Sequence, residues 1–284
     1  NGIYVDVTFG GGGHSRGILE RLNEDGKLFA FDQDPDALAN VPENSNFTLV
    51  AQNFRYLKKY LRLYGVTKID GLLADLGVSS HQFDEGERGF STRFDGPLDM
   101  RMNPSSELSA RQVLNEYTIE NLARIFRNYG EFKNPMNLAR KIDVGRSLRE
   151  METTKQLADI VVSMAPYQKR NKFLAQVFQA LRIEVNQELE ALKEMLTQAS
   201  ELLSPEGRLV VISYHSLEDR LVKNFIREGL FDGQAEKDFF GNKLTPLKII
   251  TRKPIVPSEE ELVENTRSRS AKLRIGEKKD EQKG

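Results

Sequence analysis

Four consecutive glycines, Gly10–Gly13, interrupt an apolar segment near the start of the chain, within the run Asp6–Ser15 (DVTFGGGGHS). At a turn between a strand and a helix, glycines let the backbone approach a ligand closely and direct helix N-terminal amides toward it. The turn therefore predicts a binding site for a nucleotide or a nucleoside.

Three kinds of nucleotide site compete for this turn. A phosphate-binding P-loop requires Lys and then Ser or Thr after its last glycine, whereas Gly17 is followed by Ile18 and Leu19. The dinucleotide fingerprint requires a third glycine, where its two possible frames place Ser15 or Arg16. A nucleoside without a pyrophosphate remains, and S-adenosylmethionine is the commonest such cofactor on alternating α/β sheets.

An acid supports the nucleoside interpretation. Asp32 ends the second predicted strand about 20 residues after Gly12, where a carboxylate can accept hydrogen bonds from both ribose hydroxyls. Asp32 could instead only cap the next helix, but Asp34 before Pro35 fits that role better. The residues leave His14 open as either a helix cap or a ligand contact.

A second candidate segment, Asp75–Gln82 (DLGVSSHQ), leaves the carboxyl end of the fourth predicted strand. Ligands bind outside such strand ends in open α/β sheets. The carboxylate of Asp75 and the hydroxyls of Ser79 and Ser80 could accept hydrogen bonds from a nitrogen nucleophile or from the cofactor. Taken alone, such a run is more often a turn with solvated hydroxyls, but the glycine turn and Asp32 favour a site.

His215 is the remaining candidate for chemistry, within Ser213–Arg220 (SYHSLEDR) after the fifth predicted strand. It could act as a general base or hold the loop around Asp219 and Arg220, and both alternatives stay open. The chain has three histidines without paired-ligand spacing, so no catalytic metal is predicted.

The elements that must position these residues alternate in the first third of the chain. Helices are predicted over Ser15–Leu22 and Arg55–Tyr64, the second ended by Gly65. This alternation predicts a parallel sheet with helices on both faces. The predicted strands are Ile3–Val7, Leu28–Phe31, Phe47–Val50 and Ile69–Ala74.

A helical insertion interrupts this sheet. The polar run Val78–Asn103 predicts a functional loop, Ser109–Pro166 shows only helical periods with a capping box at Thr153–Gln156, and Phe173–Leu203 predicts one long helix. The predicted domains are therefore a sheet domain in two parts, 1–105 and 171–284, and an insert, 106–170. The later predicted elements are the strand Arg208–Ser213, the helix Leu217–Arg227 and the strands Leu247–Thr251 and Lys272–Ile275.

Composition excludes several classes of protein. Among 284 residues there is no cysteine, which excludes disulfides, zinc–thiolate sites, iron–sulfur clusters and a thiol nucleophile, and fits a reducing compartment such as the cytoplasm. No apolar run reaches the roughly 20 residues that span a bilayer, so no membrane partner is predicted. Because Asn1 lies directly before a predicted strand, we expect an N-terminal segment to be missing.

Attraction to nucleic acid must be local, because 41 Lys and Arg against 42 Asp and Glu give a net charge of −1. The segment Arg124–Arg149 contains seven basic and two acidic residues, and Arg267–Arg274 contains four basic residues and no acidic one. Such runs are usually solvated faces, but two basic patches beside a cleft would suit RNA phosphates.

Several motifs together resemble the bacterial small-subunit ribosomal RNA cytosine-N4-methyltransferases, the MraW family. The resemblance covers nearly the whole chain. It implies an α/β fold, a Rossmann-like S-adenosylmethionine-dependent methyltransferase sheet with an inserted all-α domain. It also implies methyl transfer to N4 of a cytidine in the ribosomal decoding region, on the assembled small subunit. The motifs, in the family's order, are Asp6–Ser15, Asp75–Gln82, Glu87–Ser91 (ERGFS), Asp95–Met102 (DGPLDMRM), Phe178–Asn186 (FQALRIEVN), Ser213–Arg220 and Asn265–Ile275 (NTRSRSAKLRI).

The resemblance also implies roles for individual residues. Asp32 would hold the ribose, Phe54 would lie near the adenine, and the remaining cofactor contacts would be Gly12, Gly13, His14, Asp75 and Gln82. The chain departs from the family pattern at Gly11, His81 and Phe132, and it lacks the family's N-terminal segment.

The implied chemistry depends mainly on alignment, because the sulfonium methyl donor is already activated. Alignment can supply roughly 7–11 kcal/mol, and an acceptor on the poorly nucleophilic N4 amine would help. The sequence offers Asp75, Ser79 and Ser80 for that role, with Asp75 expected to matter more than His215. The target base must leave its stack. The alternatives are a small-molecule N-methyltransferase, an NAD-dependent dehydrogenase and a non-catalytic RNA-binding scaffold.

Overall fold

A computed structural model describes residues 1–280 and divides them into two compact units. One unit, here the sheet unit, comprises 1–77 and the chain from 189 onward, and the other, here the helical unit, comprises 78–188. The predicted insert, 106–170, lies inside the helical unit, and its bounds as a domain stay a prediction. No helix among the described residues is both long and apolar enough to cross a membrane.

Seven strands form one sheet in the order β3-β2-β1-β4-β5-β7-β6. Strands β1 to β5 are parallel, whereas β7 runs antiparallel to both β5 and β6. This mixed arrangement confirms a Rossmann-like α/β fold and adds an antiparallel edge to the predicted parallel sheet. The strands are β1 (Ile3–Asp6), β2 (Lys27–Phe31), β3 (Phe47–Val50), β4 (Ile69–Asp75), β5 (Leu203–Ser213), β6 (Leu247–Ile249) and β7 (Lys272–Lys278).

The strand order reverses between β1 and β4. From β1 the chain adds β2 and β3 on one side, and it then returns to place β4 and β5 on the other. In such sheets the ligand crevice lies outside the carboxyl ends of the strands at this switch point. The carboxyl ends of β1 and β4 are therefore where a site is expected.

Eleven α-helices accompany these strands in the described part of the chain. In the sheet unit, α2, α9 and α10 bury apolar side chains against alternate positions of the strands, such as Val5, Phe31 and Leu72. Short 3-10 turns cover Pro35–Asn40 and Phe54–Tyr56. The helices are α1 (Gly13–Leu19), α2 (Leu57–Leu63), α3 (Ser80–Asp84), α4 (Ala110–Glu116), α5 (Ile119–Asn128), α6 (Pro135–Leu148), α7 (Thr154–Val161), α8 (Arg170–Asn186), α9 (Glu188–Leu202), α10 (Ser216–Glu228) and α11 (Glu259–Glu264).

The helical unit has its own apolar core, formed mainly by α4 to α8 and including Leu114, Phe126 and Leu181. The capping box predicted at Thr153–Gln156 is confirmed at the start of α7. The polar run predicted as a loop contains α3 and the 3-10 turn Gly86–Arg88.

The prediction of one long helix over Phe173–Leu203 is wrong. Gln187 adopts a left-handed conformation, with φ of +50°, and separates α8 from α9. Distant contacts hold the end of α8: the Asn186 side chain accepts from Met102 N and donates to Met100 O, each at 2.7 Å. Residues so far away in the chain leave no trace in local helical periodicity.

Candidate functional site

The glycine turn joins β1 to α1 through Gly12, the residue that caps α1 with φ of +75°. A Cβ at Gly12 would lie 3.0 Å from the Phe9 ring, so both conformation and space require glycine there. At Gly11 and Gly13 a Cβ would meet no described heavy atom within 4 Å. The turn is therefore closely packed at Gly12 and open beside Gly11 and Gly13.

Asp32 holds this turn in place. Its Oδ2 accepts a hydrogen bond from Gly10 N at 2.7 Å, and its Oδ1 accepts one from Asp34 N at 2.9 Å. Burial raises the pKa of Asp32, against the opposing effect of these two bonds. Asp34 caps the 3-10 turn Pro35–Asn40, as predicted, although that element was expected to be an ordinary helix. Each Asp32 oxygen keeps capacity for a further donor.

A buried acid anchors the other side of the turn. Asp6, at the end of β1, is 1% exposed, and its Oδ2 accepts from the Ser15 hydroxyl in α1 at 2.7 Å. Its Oδ1 accepts from Thr8 N at 3.1 Å. Burial raises the pKa of Asp6. These bonds fix the first turn of α1 relative to β1.

Asp75 stands at the switch point, where three strand ends contribute to its surroundings. Its Oδ2 lies 3.4 Å from His14 Nε2, and its Oδ1 accepts from the Tyr214 hydroxyl at 2.9 Å. Asp75 N donates to Thr8 Oγ1 at 2.7 Å. The Asp75 side chain is 27% exposed, so the carboxylate stays accessible to a ligand.

The two side chains around Asp75 have shifted pKa values. The hydrogen bond to Asp75 raises the pKa of His14 above its ordinary value, although partial burial opposes the shift. Burial raises the pKa of Tyr214, and the negative charge of Asp75 adds to the effect. Tyr214 therefore remains a protonated donor, and His14 is more readily charged than a free histidine.

His215 directly precedes α10, which it caps by accepting from Glu218 N at Nδ1, 3.5 Å away. Its Nε2 is buried and makes no aligned hydrogen bond within residues 1–280, although Glu218 Oε1 lies 3.1 Å away. Glu218, itself 3% exposed, accepts from Tyr214 N at 3.0 Å. These contacts tie His215 to the start of α10, whereas its role in chemistry stays a prediction.

Phe54 is half-buried in the 3-10 turn after β3 and packs against the core of the sheet unit. The preceding residue, Asn53, donates from Nδ2 to Gln33 Oε1 at 2.9 Å. Because Gln33 directly follows Asp32, this bond joins the loops after β2 and β3. Phe54 therefore lies on a loop that is hydrogen-bonded to the loop carrying Asp32, the residue predicted to bind the ribose.

The other predicted site residues belong to the helical unit. Ser79 caps α3 by accepting from Gln82 N, and Gln82 Oε1 accepts from Ser79 N, both at 3.1 Å. Gln82 is 5% exposed, whereas Ser80 is exposed. The remaining predicted residues, which lie in the sheet unit, are Gly12, Gly13, His14, Asp32, Phe54, Asp75 and His215.

Comparison with known proteins decides the family. A model of the MraW methylase family matches residues 1–279. A ribosomal RNA small subunit methyltransferase H from Christiangramia forsetii is 58% identical over 278 residues, which cover 98% of this chain and 92% of that protein. One from Parabacteroides distasonis is 56% identical over 279 residues, with the same coverage. The chain belongs to the MraW methylase family.

A solved structure of an rRNA methylase from Streptococcus thermophilus is also similar to this MraW-family chain. It is 13% identical, covers 98% of this chain and 87% of its own, and has a TM-score of 0.43. A likeness of that size adds nothing to the family assignment, which depends on the family model and on the two relatives.

Two contributors to the site in this MraW-family chain were missed from sequence. Asp6 and Tyr214 both lie inside motifs that carried the resemblance, yet neither was assigned a role. Tyr214 directly follows the buried end of β5, so its position at the sheet's carboxyl edge was a usable signal. The register that brings its hydroxyl to Asp75 was not visible in the sequence.

Proposed function

We propose that this protein transfers the methyl group of S-adenosylmethionine to N4 of a cytidine in the decoding region of small-subunit ribosomal RNA. The more general activity, methylation of small-subunit ribosomal RNA, follows from the family and from the names of its relatives. The observation that carries the proposal is the accessible Asp75 carboxylate beside His14, which lies in the first turn of α1 directly after the glycine turn.

The residues at the switch point fit the cofactor. Open space beside Gly11 and Gly13 allows close approach to the backbone, and Asp32 can accept further hydrogen bonds from ribose hydroxyls. Phe54 would lie beside the adenine, and Gln82 would contribute from the segment after β4. When bound, S-adenosylmethionine supplies a methyl group that its sulfonium has already activated.

The proposed role of Asp75 is to accept a hydrogen bond from the N4 amine. Such a bond localises the amine lone pair and stabilises the positive charge that develops during transfer. Each Asp75 oxygen already has one neighbour, Tyr214 or His14, and retains capacity for another donor. Ser79 and Ser80 are the hydroxyl candidates from the following segment. No strong base is needed, because methylation acidifies the nitrogen.

The proposed RNA contacts are exposed basic side chains in the helical unit and in the segment before β7. In the helical unit, Arg124 is paired with Glu184 and Arg146 with Asp143, each at 2.7 Å. Basic side chains alone attract RNA phosphates without sequence specificity, and the assembled small subunit would supply the shape that selects one cytidine. The exposed bases proposed to contact phosphates are Arg127, Arg140, Lys141, Arg267 and Arg269.

The basic segment Arg267–Arg274 offers fewer side chains for RNA binding than its composition suggests. Arg274 is 7% exposed, and its Nε lies 2.6 Å from Asp219 Oδ1. Burial alone would raise the pKa of Asp219, but Arg274 and Lys272 hold it below the ordinary value. Arg274 and Lys272 therefore stabilise β7 against α10, whereas Arg267 and Arg269 are exposed.

The proposal is tested by incubating the purified protein with isotopically labelled S-adenosylmethionine and small ribosomal subunits, followed by nucleoside mass analysis. Label should appear in N4-methylcytidine. Asp75→Ala should abolish transfer, whereas Asp70→Ala, at the opposite end of β4, should retain it. His215→Ala should leave measurable activity.

Three outcomes would contradict the proposal. Tight binding of NADH would favour a dehydrogenase, and RNA binding without turnover would favour a scaffold. Methylation of small amines that survives deletion of the helical insert would favour a small-molecule enzyme. If His215→Ala is as inactive as Asp75→Ala while it still binds cofactor and RNA, the acceptor is in the Ser213–Arg220 segment instead.

A further inference from the structure

The hydroxyl of Tyr214 is directed at the carboxylate of Asp75. Tyr214 follows the end of β5 and Asp75 ends β4, and the 2.9 Å bond joins these neighbouring strand ends. We infer that Tyr214 is a positioning residue for methyl transfer, whose hydroxyl keeps the Asp75 carboxylate turned toward the acceptor amine. The inference rests on the proposed function, because it assigns Asp75 the contact with that amine.

Tyr214 is itself held in place. Its N–H donates to the buried carboxylate of Glu218 at 3.0 Å. The ring lies near Gly77, where a Cβ would be 3.7 Å from Tyr214 Cδ2, and Gly77 adopts φ of +102°. The hydroxyl therefore approaches Asp75 from a fixed backbone and a fixed ring.

The Asp75 carboxylate is held at both oxygens, by Tyr214 at Oδ1 and by His14 near Oδ2. The two holders differ, because the His14 side chain is 52% exposed and its contact is 3.4 Å long. Tyr214 makes the shorter contact and remains protonated. Without the Tyr214 hydroxyl, the Asp75 carboxylate would keep the longer contact with the half-exposed His14 as its one side-chain contact within residues 1–280, and it would turn more freely.

The Tyr214 hydroxyl is not needed to hold β4 and β5 together. Asp75 already pairs with Ile212 in the parallel ladder, and Leu76 N donates to Ile212 O at 2.9 Å. The backbone therefore holds β4 beside β5 whether or not the hydroxyl is present. What the hydroxyl adds is the orientation of one carboxylate.

The test removes only the hydroxyl, in Tyr214→Phe. The single-turnover rate of methyl transfer should fall about ten- to a hundredfold, as expected for one hydrogen bond to a charged group, while KM for the small subunit changes little. Tyr117→Phe is the matched control, because Tyr117 donates to the Glu184 carboxylate at 3.0 Å in the helical unit. That variant should transfer methyl groups at the wild-type rate.

A double-mutant cycle distinguishes action through Asp75 from an independent effect. Because Asp75 is also a predicted cofactor contact, a change in its orientation should alter cofactor binding as well. The affinity for S-adenosylhomocysteine is therefore measured by calorimetry for wild type, Tyr214→Phe, Asp75→Asn and the double variant. If Tyr214 acts through Asp75, its substitution should cost clearly less affinity in the Asp75→Asn background than in the wild type.

The outcomes separate this inference from the proposed function. A wild-type protein that binds S-adenosylhomocysteine but methylates no ribosomal RNA contradicts the proposed function, and the cycle still measures the link between the two side chains. An unchanged transfer rate in Tyr214→Phe overturns the inference, as do additive losses of affinity. A loss of equal size in Tyr117→Phe also overturns it.

Discussion

Asp32 Oδ2 accepts a 2.7 Å hydrogen bond from the N–H of Gly10, so the acid proposed to bind ribose also holds the first residue of the glycine turn. The same carboxylate accepts from Asp34 N through its other oxygen. One side chain therefore fixes both the loop after β1 and the loop after β2. If Asp32 binds the ribose as proposed, this residue contributes both to the shape of the turn and to cofactor binding.

Asp32→Ala should therefore have two effects. The affinity for S-adenosylhomocysteine should fall strongly, and the free energy of unfolding should fall by about 1–3 kcal/mol, because two backbone N–H groups lose their acceptor. Calorimetry and urea unfolding measure these effects. The control is Asp36→Ala, an exposed acid in the following 3-10 turn, which should change both quantities little. Unchanged cofactor affinity in Asp32→Ala would refute the ribose role.

Two substitutions in the glycine turn should distinguish an effect on protein stability from an effect on cofactor binding. Gly12→Ala should destabilise the protein, because the residue has a positive φ and its Cβ would press on the Phe9 ring. Gly13→Ala should leave stability unchanged or slightly higher, since no heavy atom of the described residues would lie within 4 Å of its Cβ, yet it should weaken cofactor binding by filling the open space. Thermal unfolding and calorimetry distinguish the two. Wild-type affinity in Gly13→Ala would show that the cofactor does not approach there.

The contact between His14 and Asp75 should depend on pH in a defined direction. The folded protein raises the pKa of His14, so the stabilisation is fully present below the unfolded pKa of about 6.5 and is lost as pH rises through the raised folded value. His14→Gln should therefore lower the free energy of unfolding at about pH 6 and much less at about pH 9. The difference should be below about 1 kcal/mol, because His14 is half-exposed. A deficit that stays constant with pH would contradict this assignment.

Sequence predicted the site best where local chemistry dictates structure. The glycine turn, the cap at Asp34 and the bounds of β1 to β4 follow from residue types within a few positions of each other. The Tyr214–Asp75 bond spans 139 residues and depends on strand register, which local patterns do not encode. The left-handed Gln187 was missed for the same reason, because tertiary contacts rather than a glycine or proline end α8.

The number of Lys and Arg residues in a segment does not show which of them form ion pairs. Arg124 and Arg127 lie one turn apart on α5 and were both expected to contact RNA. Both are exposed, but Arg124 is paired with Glu184. Ion pairs depend on partners that are distant in the sequence, so counting Lys and Arg overstates the surface available to phosphates.

The triple variant Arg127→Glu, Arg140→Glu and Lys141→Glu should weaken binding to small subunits. It should also reduce the salt dependence of binding, with a slope smaller by about 0.7–0.9 for each phosphate that the protein no longer neutralises. Affinity for S-adenosylhomocysteine should not change. Filter binding over a range of salt concentrations measures the first two effects, and calorimetry the third.

A matched control reverses the charge of three exposed basic side chains in the sheet unit and so changes the net charge by the same amount. Its substitutions are Lys27→Glu, Lys59→Glu and Arg62→Glu. It should weaken RNA binding less. Equal losses in both triple variants would mean that only net charge matters. A simultaneous loss of cofactor affinity would make the insert a structural support rather than an RNA contact.

The most direct measurement is mass mapping of methylated nucleosides in small-subunit ribosomal RNA from cells that lack this protein, complemented with wild type, Asp75→Ala or an empty vector. N4-methylcytidine should be present at one decoding-region position with the wild type. It should be absent with Asp75→Ala and with the empty vector. Identical methylation in all three strains, or full restoration by Asp75→Ala, would contradict the account.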